Sequence, residues 1–231
     1  RATAEAPLEV NHPKTNWSEQ DPAHWEHALA LVCADLNSQT QLQQVERIGL
    51  TGQMHGATCL DAKGHVIRPC ILWNDGRSGE ECITLNRLGD GFTQYSGNLA
   101  MPGFTAPKLM WLKRHEPDTY QQIRHVLLPK DYLRFVLTNE LSTDPSDASG
   151  TLWMNPRTRQ WDDALIEMTD GNRDWLPDVI EGPDETGMVS SEASRKYGLP
   201  RVPVVAGGGD NACGALALGI SSPGQTFISL G

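Results

Sequence analysis

The chain has 231 residues, 39% of them hydrophobic, which is enough apolar material for a packed core and too much for a disordered segment. Its 29 acidic residues outnumber 19 basic ones, the formal net charge is −10, and no basic stripe is present, so a nucleic-acid partner is not expected. No run of about 18 apolar residues occurs and the N-terminus lacks the pattern of an export signal, so the expectation is a soluble, cytoplasmic protein without a membrane span.

In chain order, Asp21-Pro22 pairs a capping side chain with a first-turn proline, and Trp25, Ala28, Leu29, Val32 and Leu36 share one face, which predicts a helix from Pro22 to Asn37. Cys33 is the first of five cysteines, with Cys59, Cys70, Cys82 and Cys213; none stands at CxxC spacing, a pattern that suits a reducing compartment. Val45, Ile48 and Leu50 lead as an apolar strand into Thr51-Gly52-Gln53-Met54-His55-Gly56. Ala57 to Leu60 and Val66 to Trp73 read as a hairpin around Lys63-Gly64. Helical spacing recurs at Pro107 to Arg114, Lys130 to Thr138 and Asp162 to Thr169. Val202 to Ala206 reads as a buried strand entering Gly207-Gly208-Gly209-Asp210-Asn211, followed by a small-residue helix, Ala212 to Leu218. Gln225 to Leu230 reads as a last strand. Strands alternating with helices predict an α/β protein, a mixed sheet flanked by helices, in one continuous domain. Both ends read as cut: the first residues resemble the tail of a strand, and Gly231 follows an apolar strand where a loop should begin.

The strongest chemical signal is the glycine run ending in Asp210 and Asn211. Glycines admit a ligand close to the backbone, and a helix starting there directs N–H groups at the same place. Asp210 is suited to accept a proton from a hydroxyl; as the first residue of a helix it is equally suited to cap it. The second signal is Gln53-Met54-His55 at one strand end and Trp73-Asn74-Asp75 at the next, an indole among amide and imidazole groups of the kind that binds sugars. Taken singly, such a Trp73 is more often a core residue and such a His55 more often a structural hydrogen-bonder. His24 and His27 stand one helical turn apart without a third ligand at a recognisable spacing, so no metal site is expected. Ser149-Gly150 reads as a turn, and Glu80-Glu81 and Asp162-Asp163 read as solvated pairs.

These segments together resemble the FGGY carbohydrate kinases, and among them the xylulokinase group. Gly103-Phe104-Thr105-Ala106-Pro107-Lys108-Leu109-Met110-Trp111-Leu112-Lys113-Arg114-His115 is similar to the first signature of that family. Gly52 to Ala57, Ile71 to Arg77, Leu128 to Leu133, Ser146 to Thr151 and Gly207 to Asn211 follow in the family's order, so the likeness spans Trp17 to Gly231.

The resemblance implies a ribonuclease-H-like, actin-like fold, with residues 1–231 forming most of the N-terminal, sugar-binding domain. The family's Asp-Gly-Thr phosphate hairpin and its ATP-binding domain have no counterpart here. It further implies Asp210 as the general base, with Gln53, Met54, His55, Trp73 and Asn211 lining the sugar pocket. ATP and Mg2+ would be the cofactors, and their sites are expected in the segments without a counterpart. The Met-His pair, where glycerol kinases have Arg-Glu, favours a ketopentose. The expected substrate is D-xylulose, phosphorylated at O5 to D-xylulose 5-phosphate, with L-ribulose or another polyol as the rival substrate. A homodimer is a candidate assembly. A non-catalytic sugar-binding module is the rival of another class, and a ribonuclease-H-type nuclease, which would need clustered carboxylates on a metal, is the third reading.

Overall fold

A computed structural model describes residues 1–229. The first helix, α1 (Pro22–Gln39), starts as its sequence requires: the Asp21 carboxylate accepts the Ala23 amide at 2.9 Å, and proline occupies the turn where a missing N–H is no loss. The chain then forms α2 (Gly79–Asn86), α3 (Asp90–Ser96), α4 (Thr105–His115), α5 (Pro117–Gln122) and α6 (Pro129–Thr138). It continues through α7 (Pro145–Ala148), α8 (Asp163–Met168), α9 (Ser191–Tyr197) and α10 (Asp210–Ala217). The four long predictions reappear as α1, α4, α6 and α8, and the small-residue helix as α10, begun at Asp210 rather than Ala212. Helices α2, α3, α5, α7 and α9 escaped the periodicity reading because one or two turns repeat an apolar position too few times.

The architecture is mixed α/β, with extended segments paired in short ladders. One group is antiparallel: Glu19–Gln20 pairs with Cys70–Ile71, Ile71 bridges to Ala57, and Thr58–Leu60 pairs with His125–Leu127. The predicted hairpin is here, closed by Asp61, whose Oδ1 accepts the amides of Lys63 and His65 at 2.8 and 2.9 Å. The other group positions the site. Thr51–Gly52 runs parallel to Gly208–Gly209, Ile48 bridges in parallel to Val204, and Pro203–Val205 is antiparallel to Glu185–Met188. Gly207 divides Pro203–Val205 from Gly208–Gly209: its φ is 75°, and the Leu50 carbonyl oxygen occupies the place of a Cβ.

Apolar burial follows the elements in three clusters. The largest surrounds α4 with Leu109, Leu112, Phe92 and Trp153. A second lies between α1, α9 and Val204, and a third joins Trp25, Leu60 and Tyr132. Each fully buried leucine here contributes about 1.5–3 kcal/mol relative to exposure. Among the described residues no helix is long and apolar enough to cross a membrane.

Three expectations need correction. Residues 225–229 form no strand; the Gln225 side chain instead accepts the amides of Ser221 and Ser222, turning the chain. Leu230 and Gly231, the end of that prediction, lie outside the described residues. The first ten residues are likewise not a strand; the nearest pairing is the bridge between Asn11 and Glu19. Glu81 is buried rather than solvated, because its helix packs that face on the α4 cluster, while Glu80 stays exposed and pairs with Arg114 at 2.6 Å. Asp162 caps α8 by accepting from Ala164 at 3.0 Å.

Candidate functional site

Asp210 is the first residue of α10 and is exposed; the helix-capping position is Gly209, and no side chain caps the helix. The capping role weighed for Asp210 is therefore not the one it plays. Its Oδ1 accepts the Asn211 amide at 2.8 Å and the Asn211 side-chain amide at 3.3 Å. The other carboxylate oxygen, Oδ2, has no hydrogen-bond partner among the described residues, at a helix start whose N–H groups favour negative charge.

Below this helix end lies the Met54-His55 pair. The Gly56 amide donates to the Met54 carbonyl at 2.9 Å across His55, whose φ is 68°. This is a three-residue turn in its strained form, which costs about 1–3 kcal/mol in a residue with a Cβ. Four contacts hold it. The His55 ring donates from Nδ1 to the Gly150 carbonyl at 2.9 Å and stacks edge-on against Phe104 at 4.7 Å. The His55 carbonyl accepts from Thr105 Oγ1 at 3.1 Å and from Lys108 Nζ at 2.8 Å. Gly150 cannot be larger, since a Cβ would lie 2.4 Å from the His55 ring.

Burial pushes the His55 pKa below its ordinary value and Lys108 adds to the effect, against the Gly150 bond and the Asp210 charge. A carbonyl can only accept, so Nδ1 carries the proton. The neutral ring then offers Nε2 as an acceptor.

Met54, His55, Trp73, Asp210 and Asn211 line one cavity of about 550 Å³. Its remaining wall includes Phe227 and Ile228 from the segment after α10, which sequence reasoning had assigned to a strand. Trp73 is 49% exposed, so its indole is a surface of the cavity rather than core. A single carboxylate, a neutral imidazole acceptor, an amide and an indole face suit a polyhydroxylated ligand: the polar groups match hydroxyls and the ring packs on C–H surface.

Two expected members sit elsewhere. Gln53 does not line the cavity; its amide donates to Gln20 Oε1 at 3.1 Å, because successive residues of an extended segment point to opposite sides. Asp75, next to Trp73 in the expected convergence, turns inward and holds Arg77 at 2.7 Å and the Ser18 amide at 2.6 Å. A comparable space of about 560 Å³ between α1, the hairpin and α6 is lined by the hairpin-turn Gly64 but by no non-glycine residue of positive φ. It includes Tyr132 and Glu26, which are already bonded to each other at 2.7 Å.

Sequence reasoning missed the buried polar layer beneath the site. Ser146 Oγ accepts the Gly209 amide at 3.1 Å and donates to Asp144 at 2.5 Å. Asp144 in turn pairs with Lys130 at 2.8 Å, and Lys130 also meets Asp131 at 2.5 Å and Asp147 at 3.2 Å. Arg134 joins Asp131 and donates to the Ala206 carbonyl, just before the glycine run. Lys108, also missed, had a signal: Thr105, Lys108, Leu109 and Leu112 fall at i, i+3, i+4 and i+7, so a charge stands on the buried face of a helix.

The sequence model described as the FGGY family of carbohydrate kinases, N-terminal domain, matches residues 1–217. The xylulose kinase of Escherichia coli (strain K12) is 48% identical over 224 residues, covering 97% of this chain and 46% of that protein. A xyloylose kinase structure from Brucella ovis superposes with a TM-score of 0.90 at 43% identity, over 94% of this chain and 45% of that one. A xylulose kinase structure from Rhodospirillum rubrum gives the same TM-score at 30% identity, over 95% and 46%. The chain thus spans about half the length of these relatives. Taken with a match over nearly its whole length, the chain belongs to the FGGY family of carbohydrate kinases.

Proposed function

We propose that this chain forms the sugar-binding part of an ATP-dependent kinase that phosphorylates D-xylulose at O5, giving D-xylulose 5-phosphate. The observation that supports this most is the shared cavity of Asp210, Asn211, Met54, His55 and Trp73. The relatives named xylulose kinase support the choice of sugar. In this reading Trp73 packs on the C–H face of the sugar, and His55 Nε2 and the Asn211 amide bond its hydroxyls. Asp210 takes the proton of the attacking hydroxyl as the new P–O bond forms. A carboxylate suffices for this, because in a loose phosphoryl transfer the proton leaves late and positioning carries most of the rate. Gln53 supports the Met54-His55 turn from behind through Gln20.

The family implies ATP, which would supply the phosphoryl group, and Mg2+. Among the described residues Asp210 is the one carboxylate in the cavity and no group of three or more His, Cys, Asp or Glu able to hold an ion occurs, so this stretch forms no all-protein metal cage. We assign neither to a residue of this stretch. The domain reading is proposed with the function: an N-terminal, ribonuclease-H-like and actin-like domain, its mixed ladders corresponding to that sheet.

Calorimetry of this chain with D-xylulose, L-ribulose and ATP tests the assignment. Saturable binding of D-xylulose in preference to L-ribulose is expected. Preference for L-ribulose would transfer the assignment to that sugar, and a chain binding neither would remove the sugar site.

A further inference from the structure

We infer that Lys108 is a positioning residue that fixes the spacing between the His55 turn and the Trp73 loop, the two walls of the cavity, while touching nothing the cavity holds. Only its effect on affinity rests on the sugar-binding reading. Lys108 is fully buried, and its amine donates to the His55 carbonyl at 2.8 Å and to the Gly103 carbonyl at 2.7 Å. It forms no ion pair within 4.0 Å among the described residues, in contrast to Lys130. A buried ammonium without a counter-ion is penalised, and burial drives this one down to a pKa of about 7. An apolar side chain of the same length would fill the space without that penalty, so the two carbonyls are what the amine is for.

The His55 carbonyl lies in the turn that lines the cavity, and the Gly103 carbonyl lies beside the Trp73 loop. His55 carries the strained turn, and Gly103 is pressed against the other wall: a Cβ there would lie 2.5 Å from the Trp73 carbonyl oxygen. His55, Lys108, Gly103 and Trp73 therefore form one chain of close contacts across the base of the cavity. Thr105 also bonds the His55 carbonyl at 3.1 Å but has no bond to Gly103, so among the described residues Lys108 is the side chain that spans the two. The separation of imidazole and indole, and with it the size of sugar accepted between them, is set by a side chain outside the cavity lining.

Nuclear magnetic resonance of this chain reads the coupling directly. The Trp73 indole N–H signal, assigned by its loss in Trp73→Phe, and the His55 ring signal, assigned by its loss in His55→Asn, are followed in Lys108→Met. That substitution keeps the stem and removes the donors. Both signals are expected to move together, and the D-xylulose Kd to rise about tenfold or more, the effect of leaving buried carbonyl acceptors without their donor. Unmoved signals, or movement of His55 alone, would overturn the inference. If Lys108→Met does not fold, Lys108→Gln, which retains an N–H donor pair at shorter reach, is read in its place. Failure of both to fold would make Lys108 a folding determinant and overturn the positioning role. A wild-type chain with no saturable response to D-xylulose refutes the sugar assignment, and the paired movement of the two signals still decides the clamp.

Discussion

At the scale of single residues, the proposed reaction divides the work between Asp210 and His55 by protonation and placement. Asp210 stands exposed at a helix start, bonded among the described residues only to its neighbour Asn211, so one oxygen remains to accept a proton. His55 is held neutral by burial and presents an acceptor. Replacing Asp210 by Asn keeps the shape and the bonding to α10 but removes the proposed base. In the full-length protein, Asp210→Asn is expected to lower kcat by about 10²–10⁴-fold, the usual contribution of a positioned base, with KM for D-xylulose changed much less. Steady-state kinetics with ATP in excess checks this, and a loss shared equally between kcat and KM would remove the role of base.

At the scale of elements, the glycine run depends on a helix too short to be noticed. Helix α7 is a single turn, capped by Asp144, which accepts the Ser146 amide at 2.8 Å. Ser146 then carries that order to the Gly209 amide. Ser146→Ala leaves the Gly209 N–H without its partner and is expected to destabilise the chain by about 1–3 kcal/mol. Urea unfolding measures this, and an unchanged midpoint would mean the bond contributes nothing. Long periodic helices such as α1, α4 and α6 were legible because several turns repeat the same apolar face, and the hairpin was legible from Lys63-Gly64. The cavity lining was legible at Met54, His55, Trp73, Asp210 and Asn211 because a strand end, a glycine run and a helix start are local patterns. Gln53 was misjudged because alternation along the chain turned it toward Gln20. The bonds from Ser146 to Gly209 and from Lys108 to His55 could not be placed, since these partners lie 63 and 53 residues away and no local rule brings them together.

At the scale of the molecule, the buried charges join parts that are distant in sequence. Lys130, Asp131 and Arg134 of α6, Asp144 and Asp147 around α7, and the Ala206 carbonyl form one buried cluster. It holds three carboxylates against two cations, so full ionisation would leave an excess negative charge out of water. Protonation of Asp147 would relieve it, and its surroundings favour that form. Burial, then the Asp131 and Asp144 charges, push its pKa up to about 8, against the attraction of Lys130. In the unfolded chain the same group ionises near its ordinary value of about 4. Between those values the folded state binds a proton that the unfolded state lacks. Stability from this group is therefore complete below about pH 4 and falls as pH rises toward 8, at no more than about 1.4 kcal/mol per pH unit. Lys108, lowered to about 7, acts in the opposite direction above that pH: its unfolded form holds a proton the folded form has lost, so stability rises with pH there. Asp147→Asn freezes the neutral form of one group and leaves Lys108 alone, so comparison with the wild type isolates the cluster. Thermal melts from pH 5 to 8 are expected to show the variant gaining on the wild type steadily as pH rises. A constant gap in Tm across that range would mean that Asp147 is ionised in the folded protein, with Lys130 and Arg134 able to balance all three carboxylates.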